Sequence, residues 1–320
     1  MKIHLPSGAF LGNIDSFIRS LDLSNHESLD ISANEKWVFL HPAVLSLVAA
    51  IGLTVDKKNI HCQKIVARSG HYLERMGLFT LLRIKSGMEI ITHDPSGRFV
   101  PLTQIRSSSE LSKFLTEMVP LLHLEPKHAQ PIQYIVSELV RNVFEHANAE
   151  NGAIVSAQYF KKSNTIRIGI ADTGVGIKKT INRSWDASDD LEAIELALTP
   201  GITGTTKREG GSEQNAGAGL FFIKSIAYVN RNFFVIYSGK GMYKLLKRKT
   251  SKEIFLHANP NLDRHSAKKD FPLWRGTVVG IDISLDTTQE FTSLLDLIRE
   301  TYTMAVRERK KASYRKPRFT

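Results

Sequence analysis

With 320 residues, 42% of them hydrophobic and 23% charged, the chain can bury a sizeable core without staples and fits one large or two ordinary globular domains. A lone cysteine, Cys62, excludes an internal disulfide, no apolar run reaches membrane-span length, and the start MKIHLPSGAF lacks a signal-peptide core; a cytoplasmic protein without membrane contact is expected. The formal net charge of +11 is confined to residues 240–275, with ten Lys/Arg against three Asp/Glu, and residues 301–320, with seven against one.

Residues 1–100 alternate strand-like and helix-like segments, the pattern of an α/β unit. SLDIS and KWVFL have strand composition, and HPAVLSLVAAIG is a helix ended by a glycine. NIHCQKIVA returns to strand, GHYLERMGL to helix and FTLLRI to strand. His41, His61 and His71 are scattered without catalytic spacing. Residues 101–130 read as a linker, with a polar serine run, a short helix and a break at Pro126.

The second unit, residues 131–290, opens on a helix from Pro131 to about Asn148. AIVSAQYF and TIRIGIA are strands joined by the turn KKSN, and LEAIELAL is a helix. TPGITGTTKREGGSEQNAGAG is a long loop, LFFIKSIAYV a helix, and NFFVIYSG, YKLLKRK and WRGTVVGIDISL are strands. Helices against a mainly antiparallel sheet make an α+β sandwich. Residues 291–320 follow as a C-terminal helix and basic tail. The two basic stretches suit nucleic acid or an acidic partner, or equally a solvated loop and tail, since neither interleaves aromatics for base stacking.

Three motifs carry chemistry. In SELVRNVFEHA, Leu139, Val140, Val143, Phe144 and Ala147 mark an apolar face, while Glu138, Asn142 and His146 recur every fourth residue. That polar stripe is either a solvated helix face or the wall of a wet cleft, because an uncompensated buried carboxylate is costly. In a cleft, a carboxylate can orient or deprotonate water and an amide oxygen suits Mg²⁺. Asp172-Thr173-Gly174-Val175-Gly176-Ile177 directly follows a strand. It is either a turn or a place where an aspartate accepts from an exocyclic amine and glycines allow close approach. Asn215-Ala216-Gly217-Ala218-Gly219-Leu220 precedes a helix, as a plain glycine-rich loop or as N–H groups presented to phosphate.

In that order, E-x3-N on a helix, D-x-G-x-G after a strand and G-x-G before a helix resemble the GHKL ATPases over about residues 105–290. That family includes histidine kinases, type II topoisomerase ATPase subunits, mismatch-repair ATPases, heat-shock chaperones and anti-sigma-factor kinases. The resemblance implies a Bergerat-type two-layer α/β sandwich with a mixed, mainly antiparallel sheet that binds ATP and Mg²⁺. It implies that Glu138 polarises the attacking water or hydroxyl and that Asn142 binds Mg²⁺. Asp172 would take the adenine amine in a pocket shaped by Gly174, Gly176 and Ile177, and Asn215, Gly217, Gly219 and Leu220 would meet the phosphates. The lid would span about 200–216, where Lys207 and Arg208 are either charges that reach the terminal phosphate or solvated loop charges, and Gly276-Thr277 resembles the family's closing G-T pair, with Thr277 helping to hold adenine or its water. His146 would steady the metal site or pack against the next loop.

Residues 1–100 resemble a STAS-type anti-sigma-antagonist domain, with Leu40-His41-Pro42 where the modifiable serine or threonine would stand. The implied function is an Mg-ATP-binding regulatory protein whose nucleotide orders the lid and controls a protein partner through the N-terminal unit, with ATP hydrolysis or Ser/Thr phosphoryl transfer. The alternatives are a nucleic-acid-associated ATPase and a histidine-kinase-like signalling protein. For the latter, HLEPKHAQP, with His123 and His128, is a poor match to a phosphorylated helix.

Overall fold

The computed structural model describes residues 1–85, 99–205, 218–247, 255–286 and 291–314. The N-terminal part contains β1 (Lys2–Leu5), α1 (Ile14–Arg19), β2 (Leu29–Ala33), α2 (Pro42–Gly52), β3 (Ile60–Cys62), α3 (His71–Arg75) and α4 (Leu78–Leu82). Then come β4 (Phe99–Ile105), α5 (Ser108–Lys113), α6 (Pro126–Asn142), β5 (Ala153–Phe160), β6 (Thr165–Asp172), α7 (Ile177–Ile181) and α8 (Asp190–Ala197). The chain continues with α9 (Gly219–Val229), β7 (Phe234–Gly239), β8 (Gly241–Leu245), β9 (His265–Lys268), β10 (Trp274–Ser284) and α10 (Phe291–Tyr314).

The strands β1, β2 and β3 pair in parallel as a small sheet. The rest form one seven-stranded sheet in the order β4-β5-β6-β10-β7-β8-β9, antiparallel at every pairing. This is the expected α+β architecture built on a large antiparallel sheet. Successive strand residues point to opposite faces. Val155, Ile168, Ile170, Ile236, Val279 and Ile281 therefore join α6 and α9 in one core. Ile154, Ala171, Val235, Tyr237 and Val278 look the other way and join the N-terminal residues in a second core.

Helix α2 explains how that second face is covered. Every residue from Pro42 to Gly52 is buried. A helix apolar all round has to be enclosed on all sides, and α2 lies against β5, β6 and β10 while packing with α4. Two cross-strand partners, Gly169 and Gly280, make the dent that admits it. A Cβ at Gly169 would stand 2.1 Å from the Ala43 nitrogen, and one at Gly280 would stand 2.8 Å from the Ala43 Cβ. Ser46 Oγ lies 3.1 Å from the Gly169 carbonyl oxygen and 3.1 Å from Ser156 Oγ, which ties the helix to the sheet.

A polar latch fixes the start of the helix. His41 is fully buried. Its Nδ1 accepts the Ala43 N–H at 3.0 Å, so the ring proton sits on Nε2, 3.0 Å from Asp282 Oδ1. Burial holds the imidazole below its ordinary pKa, partly opposed by Asp282. The position where a STAS-type domain would carry its modified residue is therefore pressed against the sheet.

Two expected strands take other forms. FTLLRI is helical in α4, where Leu78, Phe79 and Leu82 are buried at helical spacing between Gly77 (φ +76°) and Arg83 (φ +57°). Short apolar runs do not by themselves separate strand from helix. KWVFL has the buried alternation of a strand at Val38 and Leu40 but forms only an isolated bridge, Leu40 with Ala9. The boundary expected at residue 100 falls within β4, an edge strand of the large sheet, and the helix expected from Pro131 begins at Pro126. Proline suits the first helical position because its missing N–H has no intrahelical partner there.

Candidate functional site

A cavity of about 410 Å³ opens between α6, the loop after β6 and the start of α9. On α6, buried Ile132, Ile135, Val136, Leu139 and Val140 face the sheet, and the opposite side presents Tyr134, Glu138 and Asn142 to the cavity. Spacing of four residues stacks these three along one helical face. After Asn142 the helix widens into a π-helical turn, Val143–Ala147, ended by Asn148 in the left-handed conformation. Such turns re-aim side chains locally. Here His146 remains on the cavity wall and the Ala147 carbonyl receives the Val175 N–H at 2.8 Å.

Asp172, at the end of β6, is 3% exposed. Its carboxylate accepts the Gly174 N–H at 2.8 Å, and Thr277 beside it also favours the ionised form. Burial outweighs both influences and pushes its pKa up to about 6. A carboxylate has about four lone-pair sites, so the Gly174 N–H leaves acceptor capacity for a further donor. Gly176 has φ +78°, and a Cβ there would stand 2.6 Å from the Arg275 carbonyl oxygen. Gly174 serves Asp172 and the chain behind it, since its Cβ would meet the Ala147 carbonyl oxygen at 2.2 Å.

The third wall is the first turn of α9, with Gly219 and Leu220 on the cavity. A Cβ at Gly219 would stand 2.9 Å from Glu138 Oε2 and 3.6 Å from Asn142 Nδ2. The glycine therefore lets a helix N-terminus, with its free N–H groups and positive dipole end, close on the polar stripe. Glu138 lies 3.8 Å from Arg141, and burial raises its pKa despite that arginine. Two buried polar atoms on this wall, Asn142 Nδ2 and His146 Nδ1, have no hydrogen-bond partner. Burial also holds the His146 pKa down.

Residues 103–229, from within β4 to the end of α9, match the family model described as Histidine kinase-like ATPase domain. This stretch is a GHKL-type ATPase domain. No curated protein matches the chain.

Strands β7, β8, β9 and β10 lie beyond the matched stretch and complete the same seven-stranded sheet. The structure brings Glu138, Asn142, Asp172, Gly176, Ile177, Gly219, Leu220 and Thr277 onto one cavity. Gly174 lies behind it; Lys207, Arg208, Asn215 and Gly217 lie outside the described residues. Of the stem of the expected lid, Ile202, Thr203 and Gly204 line the cavity.

Ser238, Thr180 and Arg299 support the site with little or no local sequence signal. Ser238 Oγ accepts the Ile177 N–H at 3.0 Å and donates to the Gly276 carbonyl at 2.9 Å, stitching the glycine loop to β10. Its one signal was a polar residue closing the apolar run NFFVIY. Thr180 donates to the His146 carbonyl at 3.2 Å. Arg299 comes from α10, and no local pattern connects it with residues more than a hundred positions earlier.

The cavity fits a magnesium nucleotide on its own chemistry. The unpartnered buried Asn142 Nδ2 and the helix N–H groups of α9 are donors that suit phosphate oxygens, and the Asn142 amide oxygen is a hard donor of the kind Mg²⁺ takes. Among the described residues no group of three or more His, Cys, Asp or Glu gathers as a metal cage. Mg²⁺ needs none, because it is commonly held by one or two protein ligands with phosphates and waters.

Proposed function

We propose that this protein binds Mg-ATP and uses it to regulate a protein partner, with Glu138 supporting ATP hydrolysis or phosphoryl transfer to a Ser/Thr hydroxyl. The observation that carries this reading is the convergence of Asp172, the Glu138–Asn142 stripe and the Gly219 helix start on one cavity. Asp172 has acceptor capacity left for the adenine amine, while the Gly174 N–H holds the carboxylate in place. Asn142 holds Mg²⁺, which neutralises phosphate charge when bound. The first-turn N–H groups of α9 hold phosphate oxygens. Glu138, made more basic by burial, orients the attacking oxygen and takes its proton. The partner meets the outer surface of the N-terminal unit, whose inner surface is occupied by the sheet.

The nucleic-acid reading draws less support. Among the described cations of 240–275, Lys244 and Lys268 both pair with Asp15, and Lys269 pairs with Asp189. Three of the seven described cations in that stretch are thus engaged within the molecule.

Calorimetry tests the proposal. The wild type should bind ATP more tightly with Mg²⁺, and Asp172→Asn should lose binding. Glu138→Gln should bind normally and turn over about 10²–10⁴-fold more slowly. ATP binding by Asp172→Asn at wild-type strength would refute the site assignment.

A further inference from the structure

We propose that Arg299, delivered by the C-terminal helix α10, contacts the terminal phosphate of the nucleotide and makes α10 the element that reads how many phosphates are bound. The inference rests on the nucleotide reading of the cavity and adds to it a residue outside the matched ATPase stretch.

Geometry comes first. Helix α10 packs on the two helices that form the phosphate side of the cavity. The Phe291 ring lies 5.9 Å from Tyr134 on α6, and the Tyr302 ring lies 6.5 and 6.2 Å from Phe221 and Phe222 on α9. Leu294 and Ile298 are buried between those anchors. Arg299 follows Ile298 and reaches the cavity wall. Tyr134 stands one turn before Glu138, and its hydroxyl feels the charges of both Glu138 and Arg299. Standing between the Phe291 and Tyr302 ring contacts, Arg299 enters where α6 approaches α9, the side on which Gly219 closes on Glu138 and the attacked phosphate belongs.

Charge points the same way. Among the described residues lining the cavity, the only Lys or Arg residues are Arg141 and Arg299, against Glu138, Glu145 and Asp172. Arg141 is held between Glu138 at 3.8 Å and Glu145 at 3.5 Å. Arg299 pairs with Asp296 at 3.0 Å, where both side chains are more than half exposed. Exposed pairs of this kind are weak, whereas a guanidinium–phosphate contact is charge-assisted and often bidentate. A terminal phosphate should draw Arg299 from Asp296. Further along α10, Arg309 donates to the Pro200 carbonyl, at the stem of the loop carrying Ile202 and Gly204 into the cavity. The helix thus touches both the phosphate wall and the loop that borders it.

The test is calorimetry of ATP and of ADP, each with Mg²⁺, on the full chain. Arg299→Ala should weaken ATP about tenfold or more while ADP changes less than about twofold, and Arg299→Lys should fall between. Arg307→Ala, an exposed arginine on the same helix that does not line the cavity, should change neither. Unliganded melting of Arg299→Ala should match the wild type, since the side chain is exposed. If Arg299→Ala weakens both nucleotides equally, or neither, the inference fails alone. If the wild type binds neither nucleotide, the nucleotide reading fails and takes the inference with it.

Discussion

Asp172 has to keep a negative charge where almost no water reaches it. The Gly174 N–H holds the carboxylate and Thr277 also favours its ionised form, yet burial still lifts its pKa to about 6. Stability and binding should therefore respond to pH in opposite directions. The folded state binds this proton more tightly than the unfolded chain, whose aspartate titrates near 3.8. The ionised group then costs up to about 3 kcal/mol at pH 7, and that cost fades as pH falls from about 6 towards 4. Urea unfolding of the wild type against Asp172→Asn should show the wild type gaining on the variant between pH 7 and pH 5. Nucleotide binding needs the acceptor, so wild-type ATP affinity should fall as pH drops through about 6, approaching tenfold per unit below it. Parallel trends in the two measurements would mean that Asp172 is not the group in contact with the base.

Helix α2 depends on two missing side chains. Gly169 and Gly280 face each other across β6 and β10, and the start of α2 occupies the space between them. The obstacle to a Cβ at Gly169 is backbone, the Ala43 nitrogen and the Pro42 carbonyl carbon, which cannot turn aside. At Gly280 the nearest atom is Leu11 Cδ2, the end of a flexible side chain. In urea unfolding, Gly169→Ala should therefore destabilise clearly more than Gly280→Ala, by about 3 kcal/mol or more against about 1–2. Equal losses would show that α2 is free to shift on the sheet. Much of this element was legible in HPAVLSLVAAIG, whose lack of a polar face announces enclosure. What enclosed it was not, because the glycine partners lie more than a hundred residues away. The strand β4 was obscured by Pro101, Thr103 and Gln104, which look like linker until the edge position is known. The site was read well where spacing is local, as in Glu138 with Asn142 or Asp172 with Gly176. It was missed where contact is made by tertiary approach, as at Ser238 and Arg299.

At the scale of the molecule, the N-terminal unit and the ATPase sheet share one core. Ile31, Leu47 and Phe79 belong to the same cluster as Val235, Tyr237 and Val278. Ion pairs reinforce the seam at its rim, where Asp15 takes Lys244 and Arg19 takes Asp270 at 2.8 Å. Neither part can unfold without stripping the apolar cover from the other, so separate melting is unfavourable. Calorimetric melting of the full chain should give one transition, with equal calorimetric and van't Hoff enthalpies. Saturating ATP should raise protection from hydrogen exchange in α2 as well as in α6, although α2 lies on the face away from the cavity. Removing residues 1–98 should expose the Ile154, Ala171, Val235 and Val278 face and yield an aggregating fragment that binds hydrophobic dyes. Two well-separated transitions, or a soluble and cooperative 99–314 fragment, would show that the N-terminal unit is only docked. Any signal passing between the two parts would then travel by undocking; a shared core instead requires it to travel through α2 and the glycine dent.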